Sequence, residues 1–194
     1  VKADLDDVDS LKKAFAGAYG AYCVTNFWEH FSGETEKTQA KNMAKAALRA
    51  GQVDVLTLSP VPRKLIPDPG IDNFTKLGLE KNPKLRVFIQ ESWSAWDEAK
   101  DPTTFKKEQR DQTPLAEMRA AKAVWESKVE AQVKALHESL GRKVVFIVPT
   151  WDAVQTLRER VAAGKLPGIA HQTELFRDDI GHPKEAILVL NTYC

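Results

Sequence analysis

The chain is poor in the features that usually shorten a reading. Only two cysteines occur among 194 residues. Cys23 lies inside an apolar run and Cys194 at the last position, so neither suggests a disulfide framework or a metal site. No run of about 18 apolar residues exists, which excludes a helix long enough to cross a bilayer. A charge surplus is missing too. The 28 basic and 27 acidic side chains nearly cancel, so no general field gathers nucleic acid or an anionic membrane, and a partner must be recognised locally. The basic residues are interleaved with acids along helical stretches, the pattern of a solvated face rather than a nucleic-acid groove. Histidine, cysteine and carboxylate nowhere fall at metal-ligand spacing, and there is neither a G-x-S-x-G elbow nor a G-D-S block. The opening "VKADLDD" has no initiator methionine and no basic-then-apolar signal layout. The chain therefore reads as entered partway through a gene, and its compartment is left open.

What is present is a regular alternation of helical and strand patterns, with 43% hydrophobic residues to bury. Asp7 is placed to cap a short helix that shows Val8, Leu11 and Phe15 on one face and stops at Gly17. "AYCVTN" reads as a buried strand. Residues 34 to 50 put Ala40, Met43, Ala44, Ala47 and Leu48 on one side of a helix ending at Gly51. "VDVLTLSP" reads as a buried strand ended by Pro60. A proline-rich loop, a helix near 70 to 81 and the strand "LRVFIQ" follow. Residues 97 to 112 are charged and patternless and read as an exposed loop. Thr113 and Pro114 open a long helix with a stripe of Trp125, Val129, Val133, Leu136 and Leu140, closed by Gly141. "KVVFIVP" is the last clear strand. Thr150 then opens a helix carrying Val154, Leu157 and Val161, residues 164 to 180 read as loop, and "AILVLNTYC" reads as core. Such alternation predicts an α/β fold, a three-layer αβα arrangement around a mostly parallel sheet of about five strands, Rossmann-like or flavodoxin-like and truncated at both ends.

The chemistry concentrates in "LFRDDIGHP", residues 175 to 183. Asp179 and His182 form a D-x-x-H spacing, with Asp178 a rival for the aspartate position. A histidine so placed takes the proton of a nucleophilic hydroxyl while a carboxylate orients its ring. The nucleophile is not announced. Ser59 ends a strand, where sheet proteins of this class gather functional groups, and Ser92 and Ser94 end the next. Trp93 and Trp96 in "ESWSAWDE" suit the wall of an acyl or sugar pocket, or the cover of a sheet end. His137 reads as a boundary residue of the long helix, His171 as a loop residue, and Trp28 with His30 as a packed loop.

The wording "ADLDD", "GAYGAYCVTNFWEHFS" and "QAKNMAKAALRAG" over residues 1–51 resembles the NmrA-like branch of the extended short-chain dehydrogenases. The resemblance implies a partial Rossmann segment binding NADP or NAD, with Asp4 and Leu5 by the adenine and Thr25, Asn26 and Phe27 lining the dinucleotide groove. It also implies a redox-sensing regulator. The glycine-rich turn that would cradle the pyrophosphate at a helix N-terminus is not in the chain, so weak cofactor affinity is expected.

From about Val53 the segments "VDVLTLSP", "GIDNF", "NPKLRVFIQESW", "GRKVVFIVP" and "QTELFRDDIGHP" resemble SGNH or GDSL-type hydrolases. That likeness implies His182 as catalytic base, Asp179 or Asp178 as its orienting acid and Asn73 as an oxyanion donor; Ser59, by its place at a strand end, is left to serve as nucleophile or as a turn serine before Pro60. The family's own serine block would precede Val53, where the other segment stands. Two segments follow, 1–51 and 52–194, folded as one unit with a seam between about Leu48 and Val53. The expected activity is hydrolysis of a small ester or acylated carbohydrate, impaired by the missing serine block and without cofactor; the alternatives are an NAD(P)-binding regulatory module and a fusion with no evolved activity. No nucleic-acid, membrane or metal partner is expected.

Overall fold

The computed structural model describes residues 3–18, 32–49, 53–60 and 66–194. In chain order these form α1 (Val8–Phe15), α2 (Gly33–Arg49), β1 (Val55–Leu58), α3 (Pro69–Lys81), β2 (Arg86–Gln90), α4 (Leu115–Leu140), β3 (Val145–Val148), α5 (Thr150–Ala162) and α6 (Glu185–Asn191). Short 3-10 turns lie at Lys107–Gln112 and Gln172–Leu175. The strands make an open, parallel sheet in the order β1-β2-β3. Each strand reaches the next through a helix, the connection that parallel pairing requires. The fold is α/β, as the alternation predicts. Three strands are described where about five were expected, and the strand expected in "AYCVTN" lies outside the described residues.

The residues group into two compact units, Val1–Leu56 with Gly70–Val87, and Thr57–Pro69 with Phe88–Cys194. In the first, the Asp7 carboxylate accepts from the amides of Asp9 and Ser10 and caps α1. Leu11 then packs with Met43 and Ala46 of α2, and Leu5, Val8 and Phe15 cover them. The buried side of α2 runs through Gln39, Met43 and Ala46, rotated about one residue from the face read off the sequence, while Ala40, Ala44 and Ala47 are half-buried. Asn82, just after α3, donates to the carbonyl of Val53 and to Asp54, at 3.0 and 2.8 Å. That side chain therefore ties together segments on both sides of α3.

In the second unit, α4 buries Trp125, Val129, Val133 and Leu136 of the expected stripe, with Leu140 half-buried, and adds Met118 and a lysine, Lys122, that no apolar pattern reveals. Gly141 ends it in the left-handed region at φ 68°, where a side chain would be strained. His137 proves to be a linker: its Nε2 accepts the amide of Val145 at 3.0 Å as β3 begins. A second core joins Val154 and Val161 of α5 to Leu175, Phe176 and Ile187.

Three expectations are corrected. "VDVLTLSP" is not a buried strand: β1 alternates exposed with half-buried residues, and Val55 is 48% exposed, because β1 stands at one end of the described sheet. "AILVLNTYC" is not core throughout: most of it lies in the helix α6, in which only Ile187 is buried. Leu188 and Val189 are half exposed. The patternless stretch 97 to 112 is not simply exposed, since it contributes Asp97, Phe105 and Arg110 to the interior. A buried charge neutralised by its partner leaves no hydrophobic period to read.

Candidate functional site

The D-x-x-H segment is a closed turn. The backbone of Arg177 donates to the carbonyl of His182 at 2.8 Å, Lys184 donates to Leu175 at 2.9 Å, and Phe176 bridges Pro183. Inside the turn the Asp178 carboxylate accepts the amides of Gly181 and His182, both at 3.1 Å, and its second oxygen lies 2.6 Å from Nδ1 of His182. A carboxylate on Nδ1 leaves Nε2 of the ring for a substrate or nucleophile, the orientation a general base needs. Burial works to raise the Asp178 pKa, but the His182 ring and the two amides outweigh it and hold the carboxyl below its usual range.

Of the two aspartates the sequence offered, the turn therefore puts Asp178 on the histidine. Asp179 points elsewhere. Its carboxylate accepts the amide of Lys107 at 2.9 Å and the ammonium of Lys106 at 3.1 Å, and these bonds hold its pKa low. The reason lies in the backbone: Gly181 adopts φ 92°, which folds His182 back over the residue four positions earlier rather than three. A Cβ at Gly181 would stand 2.9 Å from Nη2 of Arg110 and 3.2 Å from the carbonyl of Ala95, so glycine is required there on two counts.

Arg110 clamps this turn from within. Its Nη2 donates to the carbonyls of Ala95 and Asp179 at 2.7 and 2.8 Å, and its guanidinium lies 4.4 Å from the Phe176 ring centre. Nη1 pairs with Asp97, and Arg158 pairs with the same carboxylate, Nη1 to Oδ1 at 2.9 Å. All three side chains are at most 2% exposed. Two buried cations face one anion. The surplus charge is met by neutral acceptors and ring faces: Nε of Arg158 donates to Gln172 at 2.8 Å, and Arg158 also sits 5.4 Å from Phe176. Asp97 and Glu98 are held at φ 48° and 64°, a conformation that costs a non-glycine residue on the order of 1–3 kcal/mol and that the two arginine contacts fix at Asp97.

A cavity of about 320 Å³ opens beside the turn, lined by Gln90, Glu91, Ser92, Trp93 and Ala95 on one side and by residues 180 to 183 on the other. Trp93 joins the two walls, its Nε1 donating to the carbonyl of Gly181 at 3.1 Å. Ser92 Oγ lies 2.8 Å from Ser59 Oγ. Among the residues named from sequence, His182 lines the cavity, Asp178 supports it, and Ser59 touches it only through Ser92. Asn73 is an exposed residue of α3, in the other unit, and does not line it. Trp96 and His171 do not line it either. His171 is exposed, 3.8 Å from the Asp111 carboxylate.

Glu91 and Lys122 carried no signal in the sequence. Glu91 is fully buried at the end of β2, and neither carboxylate oxygen accepts a hydrogen bond. It meets Glu126 and Asp152, with ligand oxygens within 4.8 Å of one another, and the Lys122 ammonium stands among the three, 2.8 Å from Glu126 and 3.8 Å from Glu91. Burial pushes the Glu91 pKa from 4.5 up to about 7, against the pull of Lys122. Burial also opposes the charge on Lys122, but its bonds to Asp152 and Glu126 raise its pKa above the usual lysine range. A carboxyl whose folded pKa is raised binds its proton more tightly folded than unfolded, so its contribution is complete below pH 4.5 and is lost as pH rises through about 7. Glu91→Gln is therefore expected to flatten the decline of unfolding free energy across that window. An unchanged slope in urea titrations at pH 5, 6, 7 and 8 would remove Glu91 as its source.

The other candidates fall in the first unit. Asp4 is exposed, its backbone amide donating to Ser10 Oγ at 3.1 Å and its carboxylate accepting from Asp6 at 2.9 Å. Leu5 uses its side chain in the α1–α2 core and its carbonyl as acceptor for Asn42 at 3.1 Å. Thr25, Asn26, Phe27, Trp28 and His30 lie outside the described residues.

The NmrA-like family model matches residues 1–68. That span includes all five of the dinucleotide candidates and runs through the seam expected between Leu48 and Val53. The hydrolase likeness over residues 53–194, and the fusion inferred from it, find no support in the comparisons. Helix, glycine, strand is the order of many α/β folds, so a change of family at Gly51 cannot be read from it. No solved structure matches the chain.

Proposed function

We propose that the N-terminal part of this protein is an NAD(P)-binding, redox-sensing module of the NmrA-like kind. The family match over residues 1–68 carries this reading. By the family likeness Asp4, which is exposed, and Leu5 would lie by the adenine, and Thr25, Asn26 and Phe27 would line the dinucleotide groove. Titration with NADPH is expected to give a saturable rise in nicotinamide fluorescence, weakened by Asp4→Ala. A linear response up to millimolar NADPH ends this reading.

The 2.6 Å contact between Asp178 and His182 at the mouth of a cavity favours a second reading. Here the second unit hydrolyses a small ester or acylated carbohydrate, with His182 the general base and Asp178 the group that sets its tautomer and steadies the imidazolium. Trp93, Ile180 and Pro183 give the acyl group an apolar wall, and Gln90 offers an amide to a carbonyl or hydroxyl. His182→Ala is expected to lower turnover of a fluorogenic short-chain ester by about 10²–10⁴-fold, the usual worth of a positioned base. Turnover equal in the variant and the wild type would sink the assignment of His182.

A further inference from the structure

We propose that Ser92 is the nucleophile of this hydrolytic site and that Ser59 is the hydroxyl that positions it. The inference rests on the hydrolytic reading above. It is drawn from a convergence that no sequence spacing reveals, because the three participants are far apart in the chain.

Ser92 follows β2 by two residues and Ser59 follows β1 by one, so the two hydroxyls meet where neighbouring strands end, the edge at which open α/β sheets assemble their chemistry. Their oxygens are 2.8 Å apart. What separates them is the cavity: Ser92 lines it together with His182, and Ser59 does not. The hydrogen bond from Trp93 Nε1 to the carbonyl of Gly181 is a tether between the residue after Ser92 and the residue before His182. The clamp from Arg110 to the carbonyls of Ala95 and Asp179 fastens the same two segments a second time. Both walls are thus fixed relative to each other by three partly buried hydrogen bonds.

The chemistry balances without any further reactant except water. Ser92 Oγ attacks the carbonyl carbon of an ester as its proton passes to Nε2 of His182. The tetrahedral oxyanion collapses, the C–O bond to the alcohol breaks, and the departing alkoxide takes the proton from His182. Water then repeats the sequence on the acyl-serine, giving the carboxylic acid and restoring the Ser92 hydroxyl. With Ser59 donating its own proton to Ser92 Oγ, the Ser92 proton is left free for the base and the attacking hydroxyl is held in one orientation. The cavity volume and its apolar wall point to short acyl chains.

The test is covalent labelling of the full chain by a fluorophosphonate, followed by peptide mapping, beside ester kinetics. A single adduct on Ser92 is expected, absent from Ser92→Ala and formed about 10²–10⁴-fold more slowly in His182→Ala. Ser59→Ala is expected to lower kcat with KM unchanged, and Ser59→Thr to restore it. A cooperative denaturation curve for each variant separates lost chemistry from lost folding. An adduct on Ser59 or any other residue overturns Ser92 while leaving His182 as base. Wild-type kcat in Ser92→Ala makes water the nucleophile and also overturns Ser92 alone. No adduct and no His182-dependent turnover in the folded wild type overturns the inference and the hydrolytic reading together.

Discussion

Asp97→Ala is expected to lower the unfolding free energy by about 3–5 kcal/mol, the cost of removing one partner from a buried ion pair. The whole stability of a domain is roughly 5–15 kcal/mol, so this one change removes a large part of it. The size follows from the arrangement. Among the described residues Asp97 is the one carboxylate bonded to both Arg110 and Arg158, and both guanidiniums are buried around it. Asp97→Asn keeps the shape and loses the charge, so it should fall nearly as far. The exposed pair of Arg119 and Glu159 at 2.8 Å is the contrast, and Glu159→Ala should cost no more than about 1 kcal/mol. Urea denaturation followed by tryptophan fluorescence reads all three. A loss below about 1 kcal/mol for Asp97→Ala would show that the arginines find other anions or water.

The second large effect is expected at Phe176. Its side chain is fully buried with Val154, Val161, Leu175 and Ile187, and its ring faces both Arg110 and Arg158. Phe176→Ala should cost about 3–5 kcal/mol through lost burial and the cavity left behind. Phe176→Leu refills most of the volume but presents no ring face, so the part of the loss it fails to restore measures the two cation contacts, on the order of 0.5–2 kcal/mol each. Phe176 also bridges Pro183 across the turn. Its truncation should therefore loosen the Asp178–His182 pair, seen as a downfield ring-proton signal from His182 Nδ1 that broadens or disappears.

These effects lie in a region where the sequence is silent for a physical reason. A helix such as α4 announces itself because Trp125, Val129, Val133 and Leu136 repeat at the period of its turn and all leave water. Lys122 occupies the same buried face, yet its charge breaks the pattern, and only the three carboxylates around it explain why burial is tolerated. Asp97, Arg110 and Arg158 are alike. Each reads as a surface residue until the others are beside it, and they are brought together by the turn at 97, the 3-10 turn at 107 to 112 and α5. The exposed face of β1 is the opposite case, an apolar run whose expected burial depends on what stands next to it in the sheet.

The candidate site divides in the same way. Aspartate and histidine close in sequence are visible on inspection, and His182 with an aspartate partner could be named from "LFRDDIGHP" alone. Which aspartate could not, because the choice is made by φ at Gly181 and by the lysine contacts that draw Asp179 away. Ser92 carries no motif, and its place in the cavity that His182 also lines depends on a tryptophan side chain bonding across about 90 positions and on two strands ending together.

By itself, the sequence determined the α/β class, the main helices with the Asp7 cap and the Gly141 stop, the likeness of its first part to the NmrA-like family and the short spacing of His182 from two aspartates. These are local properties: period, capping chemistry and short-range spacing survive without the rest of the molecule. The tertiary structure alone decided that Asp178 holds His182, that two arginines and one aspartate sit beneath the turn, that Glu91 is kept from water, and that Ser92 rather than Ser59 lines the cavity. Those outcomes depend on groups far apart in the chain losing their water together, and a charge can be buried only where its partner has already been delivered.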